Sequence, residues 1–221
     1  MVLQPAMLAQ IQPMLDLLNV RFCATEPGAV PPGGTYTRVA DLDLSIYASP
    51  TVWPRAFFTD TVIAIREPGE LIALADHADG RPFAAMAAHD LTVHTTLARL
   101  SRDYKRRQVV PATDYRLTNN TTSFIIHAPR AGVIVLHESY FPGDFRVTVN
   151  GKPAGDFRVN HAFKGLVVEA PGLYRVTFAY RPRHWTLALT LAGLGVALVA
   201  AGIAGFRVIE KRSGLPVPTG A

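Results

Sequence analysis

Two short stretches hold the densest mixture of polar and aromatic side chains in this sequence: Ser139-Tyr140-Phe141-Pro142-Gly143-Asp144 and Arg158-Val159-Asn160-His161-Ala162-Phe163. Tyr140 and Phe141 offer flat apolar faces of the kind that stack on sugar rings. Asp144, Arg158, Asn160 and His161 supply directional hydrogen bonds. These six residues are the candidate binding site. The competing reading makes both stretches packed loop corners at one end of a β-sandwich.

Other chemistry is thinly represented. The seven histidines show no HExxH, no HxH and no pairing with cysteine at finger spacing. The single cysteine, Cys23, lies in the apolar run Leu17 to Ala24, excludes an internal disulfide and reads as a small buried hydrophobe. No metal and no cofactor is expected. No GxSxG, Walker loop or GxGxxG follows a strand. Asp41 and Asp43, two apart on an expected strand, share a face as a glycosidase pair might, but such pairs come from different strands, and a solvated face accounts for them. Asn119 and Asn120 each begin an Asn-x-Thr sequon that turn formation explains sufficiently. No catalytic residue is therefore expected in this chain.

The candidate residues need strands to hold them, and from Tyr115 the sequence has that texture. Short β-prone runs alternate with strong turn signals, the pattern of an antiparallel β-sandwich of jelly-roll or immunoglobulin-like type. Thr121 to Ala128, Val133 to Tyr140, Phe145 to Val149, Phe157 to Val159, Phe163 to Glu169 and Leu173 to Arg181 are the runs. Asn150-Gly151 predicts a type I′ hairpin. Before Tyr115 the reading is mixed α/β: a helix over Ala6 to Leu18 feeding a strand in Asn19 to Thr25, and a loop at Glu26 to Gly34. A strand over Asp41 to Tyr47 follows, with Leu42, Leu44 and Ile46 on one face. Then come β-rich residues from Arg55 to Arg66, a short helix from Pro68 to Asp76 and another over Leu91 to Arg102.

Trp185 to Phe206 runs for 22 residues without a charged side chain. A bilayer core of about 30 Å needs roughly 20 such residues in a helix, so this is a membrane span. Arg181, Arg183 and His184 flank one end and Arg207, Lys211 and Arg212 the other. Gly193, Ala197, Ala201 and Gly205 recur every four residues and form a groove that lets another transmembrane helix approach closely. The net charge of +5 and pI near 9.6 come from dispersed arginine, clustered only at Ser101 to Gln108. With no aromatic–basic interleaving, nucleic acid is not an expected partner, whereas membrane lipid is. The N-terminus lacks a signal peptide's basic region and compact apolar core. The chain is thus expected to be either tail-anchored with a cytoplasmic domain or the end of a longer membrane protein.

The order of Leu15-Asp16-Leu17-Leu18-Asn19-Val20-Arg21, Pro54-Arg55-Ala56-Phe57, Glu138-Ser139-Tyr140-Phe141-Pro142-Gly143, Val149-Asn150-Gly151-Lys152, Arg158 to Phe163 and Tyr180-Arg181-Pro182 resembles the C-terminal region of YfhO-like bacterial membrane proteins. It departs from that pattern at Asp144 and Asn150, where Trp and Asp are usual. The resemblance implies a protein similar to the membrane-embedded C-type glycosyltransferases, which use polyprenyl-phosphate sugars to decorate envelope polymers. Their catalytic acid lies in early loops that this chain does not contain. The implied organisation is an extracytoplasmic mixed α/β segment at 1–110, a β-sandwich at 111–183, a transmembrane helix at 184–206 and a short basic cytoplasmic tail at 207–221. The implied role is an accessory domain that assists sugar transfer at the cell membrane, with an envelope glycan or lipid-linked sugar and sister helices as partners. The alternative is a free-standing membrane-anchored β-sandwich that binds a glycan or a protein.

Overall fold

A computed structural model of the chain describes residues 5–31, 36–77, 80–91, 95–101 and 108–213. Residues 102–107 of the basic cluster and 214–221 of the tail lie outside them, as do the side chains of Lys211 and Arg212. In chain order the elements begin with α1 (Pro5–Leu17), β1 (Phe22–Thr25), β2 (Thr37–Asp41), β3 (Ser45–Ala48), β4 (Ala56–Thr59) and β5 (Val62–Ile65). Next come α2 (Pro68–His77), β6 (Ala84–Ala87), α3 (Ala88–Leu91), α4 (Thr95–Leu100), β7 (Val109–Pro111), β8 (Thr113–Leu117) and β9 (Thr121–Ala128). The rest are β10 (Gly132–Ser139), β11 (Phe145–Val149), β12 (Lys152–Ala154), β13 (Phe157–Val159), β14 (Phe163–Val168), β15 (Gly172–Tyr180) and α5 (Trp185–Ser213). With 41% of residues in strands against 28% in helices, the protein is mainly β.

Two five-stranded sheets form the sandwich: an inner one in the order β13-β14-β10-β4-β7 and an outer one in the order β12-β11-β15-β9-β8. All their pairings are antiparallel. The chain wraps in the jelly-roll manner, with β9 beside β15 in one sheet and β10 beside β14 in the other. Between the sheets lies a core of Phe58, Phe124, Ile126, Ile134, Leu136, Leu166, Val176 and Phe178.

The two sheets differ in composition because they differ in burial. In β9, buried residues alternate with half-buried or exposed ones, as expected of a sheet with one wet face. In β10 the first six residues are all buried, and so is every residue of β4. The inner sheet has a second core on its far face, where Phe57, Val133, Val135 and Val159 meet Val62, Leu71, Phe83, Met86 and Leu97 of the α/β layer. Successive strand residues point to opposite faces, so the neighbours Phe57 and Phe58 anchor different cores. Gly132 marks the tightest approach: a Cβ there would lie 2.4 Å from the Phe58 ring and 2.6 Å from the Thr59 carbonyl oxygen.

The division near residue 110 therefore runs through one compact unit, Met1–Tyr180. The sandwich reaches back into the first segment for β4, which pairs with both β10 and β7. A segment that carries a strand flanked by two partners is part of the same body. The second unit is Arg181–Ala221. In it α5 offers a 25-residue apolar stretch, Trp185–Ile209, long and apolar enough to cross a membrane.

Three local expectations change. Asp41 to Tyr47 is not one strand: Asp41 ends β2, residues 42–44 make the hairpin turn, and Ser45 to Tyr47 belong to β3. Leu42 N–H donates to the Leu44 carbonyl at 3.0 Å, and Ser45 Oγ donates to Asp41 Oδ1 at 2.8 Å, so side-chain and backbone bonds close the bend. Asp43 sits in that bend, and no shared strand face joins it to Asp41. Leu42 is accordingly 80% exposed. Of the helix expected over Leu91 to Arg102, Leu91 belongs to α3 and Thr95–Leu100 form α4, while residues 92–94 and 102 lie outside the described residues.

Candidate functional site

The β13–β14 connection holds the second candidate stretch, and one side chain fixes its path. Asn160, 1% exposed, accepts the Ala85 N–H at 2.6 Å through Oδ1 and donates Nδ2 to the Phe83 carbonyl at 3.0 Å. Its own N–H donates to the Ala85 carbonyl at 2.8 Å. Asn160 thus behaves as a one-residue strand against β6, and its polar atoms are spent inside the protein. Asn160 and His161 both sit in the left-handed region, at φ of 47° and 68°. That conformation costs a non-glycine residue on the order of 1 kcal/mol, and the three bonds of Asn160 hold it in place.

The result is that His161 and Arg158 face a cleft of about 240 Å³ floored by Ile65, Ala85 and Ala87. Arg66, Glu67 and Pro68 contribute one wall and His89 and Asp90 another. The position follows from topology. Strands β5 and β6 are the one parallel pair among the described residues, and the cleft opens where both end and α2 and α3 begin. Pro68 starts α2, where a missing N–H is harmless, and Glu70 Oε2 accepts the Arg66 N–H at 3.1 Å to close the first turn.

Tyr140 belongs to the same corner, because its N–H donates to the Ala162 carbonyl at 2.7 Å. Burial raises its phenol pKa, and the charges of Asp156 and Asp90 add to this while Arg158 opposes it. Phe141, 52% exposed, and Asp144 lie on the β10–β11 loop and do not line the cleft. Of the six candidates, Arg158 and His161 line the cleft, Asn160 builds it from within, Tyr140 stands at the same corner without lining it, and two lie on the adjoining loop. Arg66, Glu67, His89 and Asp90 were not singled out by sequence. The only signal for them was the strand-to-helix transition at Pro68-Gly69-Glu70.

Such a lining offers hydrogen-bond donors and acceptors of both charges, the equipment for gripping a polyhydroxylated ligand. Among the described residues no group of three or more His, Cys, Asp or Glu could hold a metal ion.

A second polar cluster closes this end of the sandwich. Lys164, 1% exposed, donates Nζ to Glu138 Oε2 at 3.1 Å and lies 3.3 Å from the Phe145 ring centroid. Tyr115 and Thr122 hydroxyls donate to Glu138 Oε1 at 2.9 and 2.8 Å, and Arg55 stands 3.6 Å from the same carboxylate. The register between β10 and β14 shifts between Leu136 and Ser139, at the bulge that carries His137 and Glu138.

The fold and site define a mainly β protein with, among the described residues, one helix of membrane-spanning length and a polar cleft at the end of a parallel strand pair. No protein-family model, curated protein or solved structure matches the chain.

Proposed function

We propose that this chain is the membrane-anchored, extracytoplasmic accessory end of a YfhO-like integral membrane protein. Its cleft holds an envelope glycan or lipid-linked sugar while a membrane-embedded part transfers the sugar. The observation that carries the reading is the cleft itself. Arg158 and His161, set on a strained and latched turn, meet Arg66, Glu67 and Asp90 there, beside Tyr140. Backbone strain kept in place by a buried side chain is a recurrent mark of a binding site. Paired donors and acceptors match sugar hydroxyls, and the apolar surface of α5 supports attachment to the membrane in which lipid-linked sugars reside.

The test is glycan binding by the full chain in nanodiscs, measured calorimetrically against fragments of envelope polymers. Arg158→Ala and His161→Ala are expected to weaken binding at least about tenfold, the size of a lost charged hydrogen bond, without moving the unfolding midpoint. Binding by neither the native chain nor these variants, or equal binding by all three, removes the glycan from this cleft.

A further inference from the structure

The outer sheet of the sandwich is charged with one sign. Its five strands hold Arg116, Arg146, Lys152 and Arg175 but a single acidic residue, Asp114. Alternation along each strand sends every second side chain to the wet face, and the pairing register sets its neighbours there. Arg116 lies opposite Ser123 and Ser123 opposite Thr177, while Arg175 lies opposite Ile125.

These five side chains and Asp114 line a groove of about 280 Å³ over β8, β9 and β15. Strand β8 bulges between Thr113 and Arg116, and within the bulge Asp114 takes a φ of 50°. A bulge re-aims the side chain it carries, here into the groove. Among the described residues, no ion pair or hydrogen bond engages the guanidinium of Arg116 or Arg175, or the hydroxyl of Ser123 or Thr177. The two arginines spring from strands two spacings, about 10 Å, apart, so both long side chains can close on one group above β9. The groove shares no lining residue with the cleft that holds Arg158 and His161.

We propose that this groove binds a small, hydroxylated phosphate monoester, with the phosphate above Ser123 between Arg116 and Arg175. A guanidinium presents its N–H groups as a planar fork that fits phosphate oxygens in pairs. Two forks and two hydroxyls supply more donors than the roughly four lone-pair sites of a carboxylate accept. The three terminal oxygens of a phosphate monoester take them all. Asp114 selects the rest of the ligand: beside a phosphate it repels a bare ion but accepts a hydroxyl. Ile125 gives the carbon skeleton an apolar floor. The volume lies near the lower end for small-molecule sites, which suits one sugar-sized unit.

The full chain, held in a polyoxyethylene detergent that brings neither phosphate nor sugar, is titrated calorimetrically with glucose 6-phosphate, inorganic phosphate and glucose. Glucose 6-phosphate is expected to bind most tightly, inorganic phosphate more weakly and glucose not at all. Arg116→Gln and Arg175→Gln should each weaken glucose 6-phosphate at least about tenfold without moving the unfolding midpoint. Asp114→Asn, which tolerates the same left-handed backbone, should narrow the gap between glucose 6-phosphate and inorganic phosphate. Arg21→Gln removes an exposed arginine outside the groove and should leave the affinity as it is. Failure of the native chain to bind, binding that survives Arg116→Gln with Arg175→Gln, or an equal loss in Arg21→Gln overturns the proposal. Equal affinity for glucose 6-phosphate and inorganic phosphate overturns it too. So does a loss confined to Arg158→Ala, which moves the ligand to the cleft.

Discussion

At the scale of residues, the costliest feature is a buried ion pair. Burial pushes the Lys164 ammonium below its ordinary pKa, and the Glu138 carboxylate offsets this only in part. Burial pushes the Glu138 carboxyl up, but Thr122, Tyr115 and Lys164 outweigh it and hold it below the ordinary range. Removing one partner strands the other charge, so Lys164→Met is expected to lose about 3–5 kcal/mol of stability. The double change Lys164→Met with Glu138→Leu should recover most of that loss, as urea denaturation followed by near-ultraviolet circular dichroism will read. A double variant as unstable as the single would refute the stranded-charge account.

His137 makes a second residue-scale prediction. It sits among Trp53, Phe57 and Phe163, and no well-formed hydrogen bond reaches either ring nitrogen. Burial, reinforced by the charge of Arg55, lowers its pKa to about 3, against a small opposing pull from the Pro54 carbonyl. The unfolded chain protonates near pH 6.5, while the folded one resists until about pH 3. Stability is therefore intact above pH 6.5 and falls as pH drops through that window, by up to about 1.4 kcal/mol per pH unit from this group. His137→Phe should flatten the fall between pH 6 and 4 relative to the native chain, whatever the carboxyl groups contribute.

At the scale of elements, α5 invites a test of its own. Gly193, Ala197, Ala201 and Gly205 recur on one face, and no side chain fills the space a Cβ would take at Gly193 or Gly205. In lipid, small residues let backbones approach and gain dispersion contacts. Gly193→Leu with Ala201→Leu should weaken helix association in a membrane two-hybrid assay, and an unchanged signal would take this face out of any interface. The Asn150-Gly151 turn, by contrast, is settled: φ values of 52° and 79° give the paired left-handed conformation of a type I′ turn.

At the scale of the whole molecule, the proposed function depends on which side of a membrane would carry Met1–Tyr180. Arg207, Lys211 and Arg212 exceed Arg181 and Arg183 by one cation, a slight bias toward a cytoplasmic tail. The accessory reading requires that orientation. Protease added to intact spheroplasts should digest the β-sandwich and spare a C-terminal tag. The reverse pattern would put the cleft in the cytoplasm, away from envelope glycans.

Local signals in the sequence sufficed for the apolar helix long enough to cross a membrane, the hairpin at Asn150, α1, α2 and the strands from Thr121 onward, because periodicity and turn chemistry act over a few residues. They placed Tyr140, Arg158 and His161 at strand ends, but it is the pairing of β10 with β14 that brings the two stretches side by side. They misjudged Asp41 to Tyr47, where alternating Asp and Leu mimics a strand until Ser45 and Arg38 bind Asp41 and fold it into a turn. Only the tertiary structure decided that β4 joins the sandwich, that Asn160 is a latch and that Arg66 and Asp90 share its cleft. Those facts rest on contacts between residues some 75 positions apart, such as Asn160 with Ala85. Burial turns such pairings into stability, and a pattern read along the chain does not register which distant surfaces will be buried together.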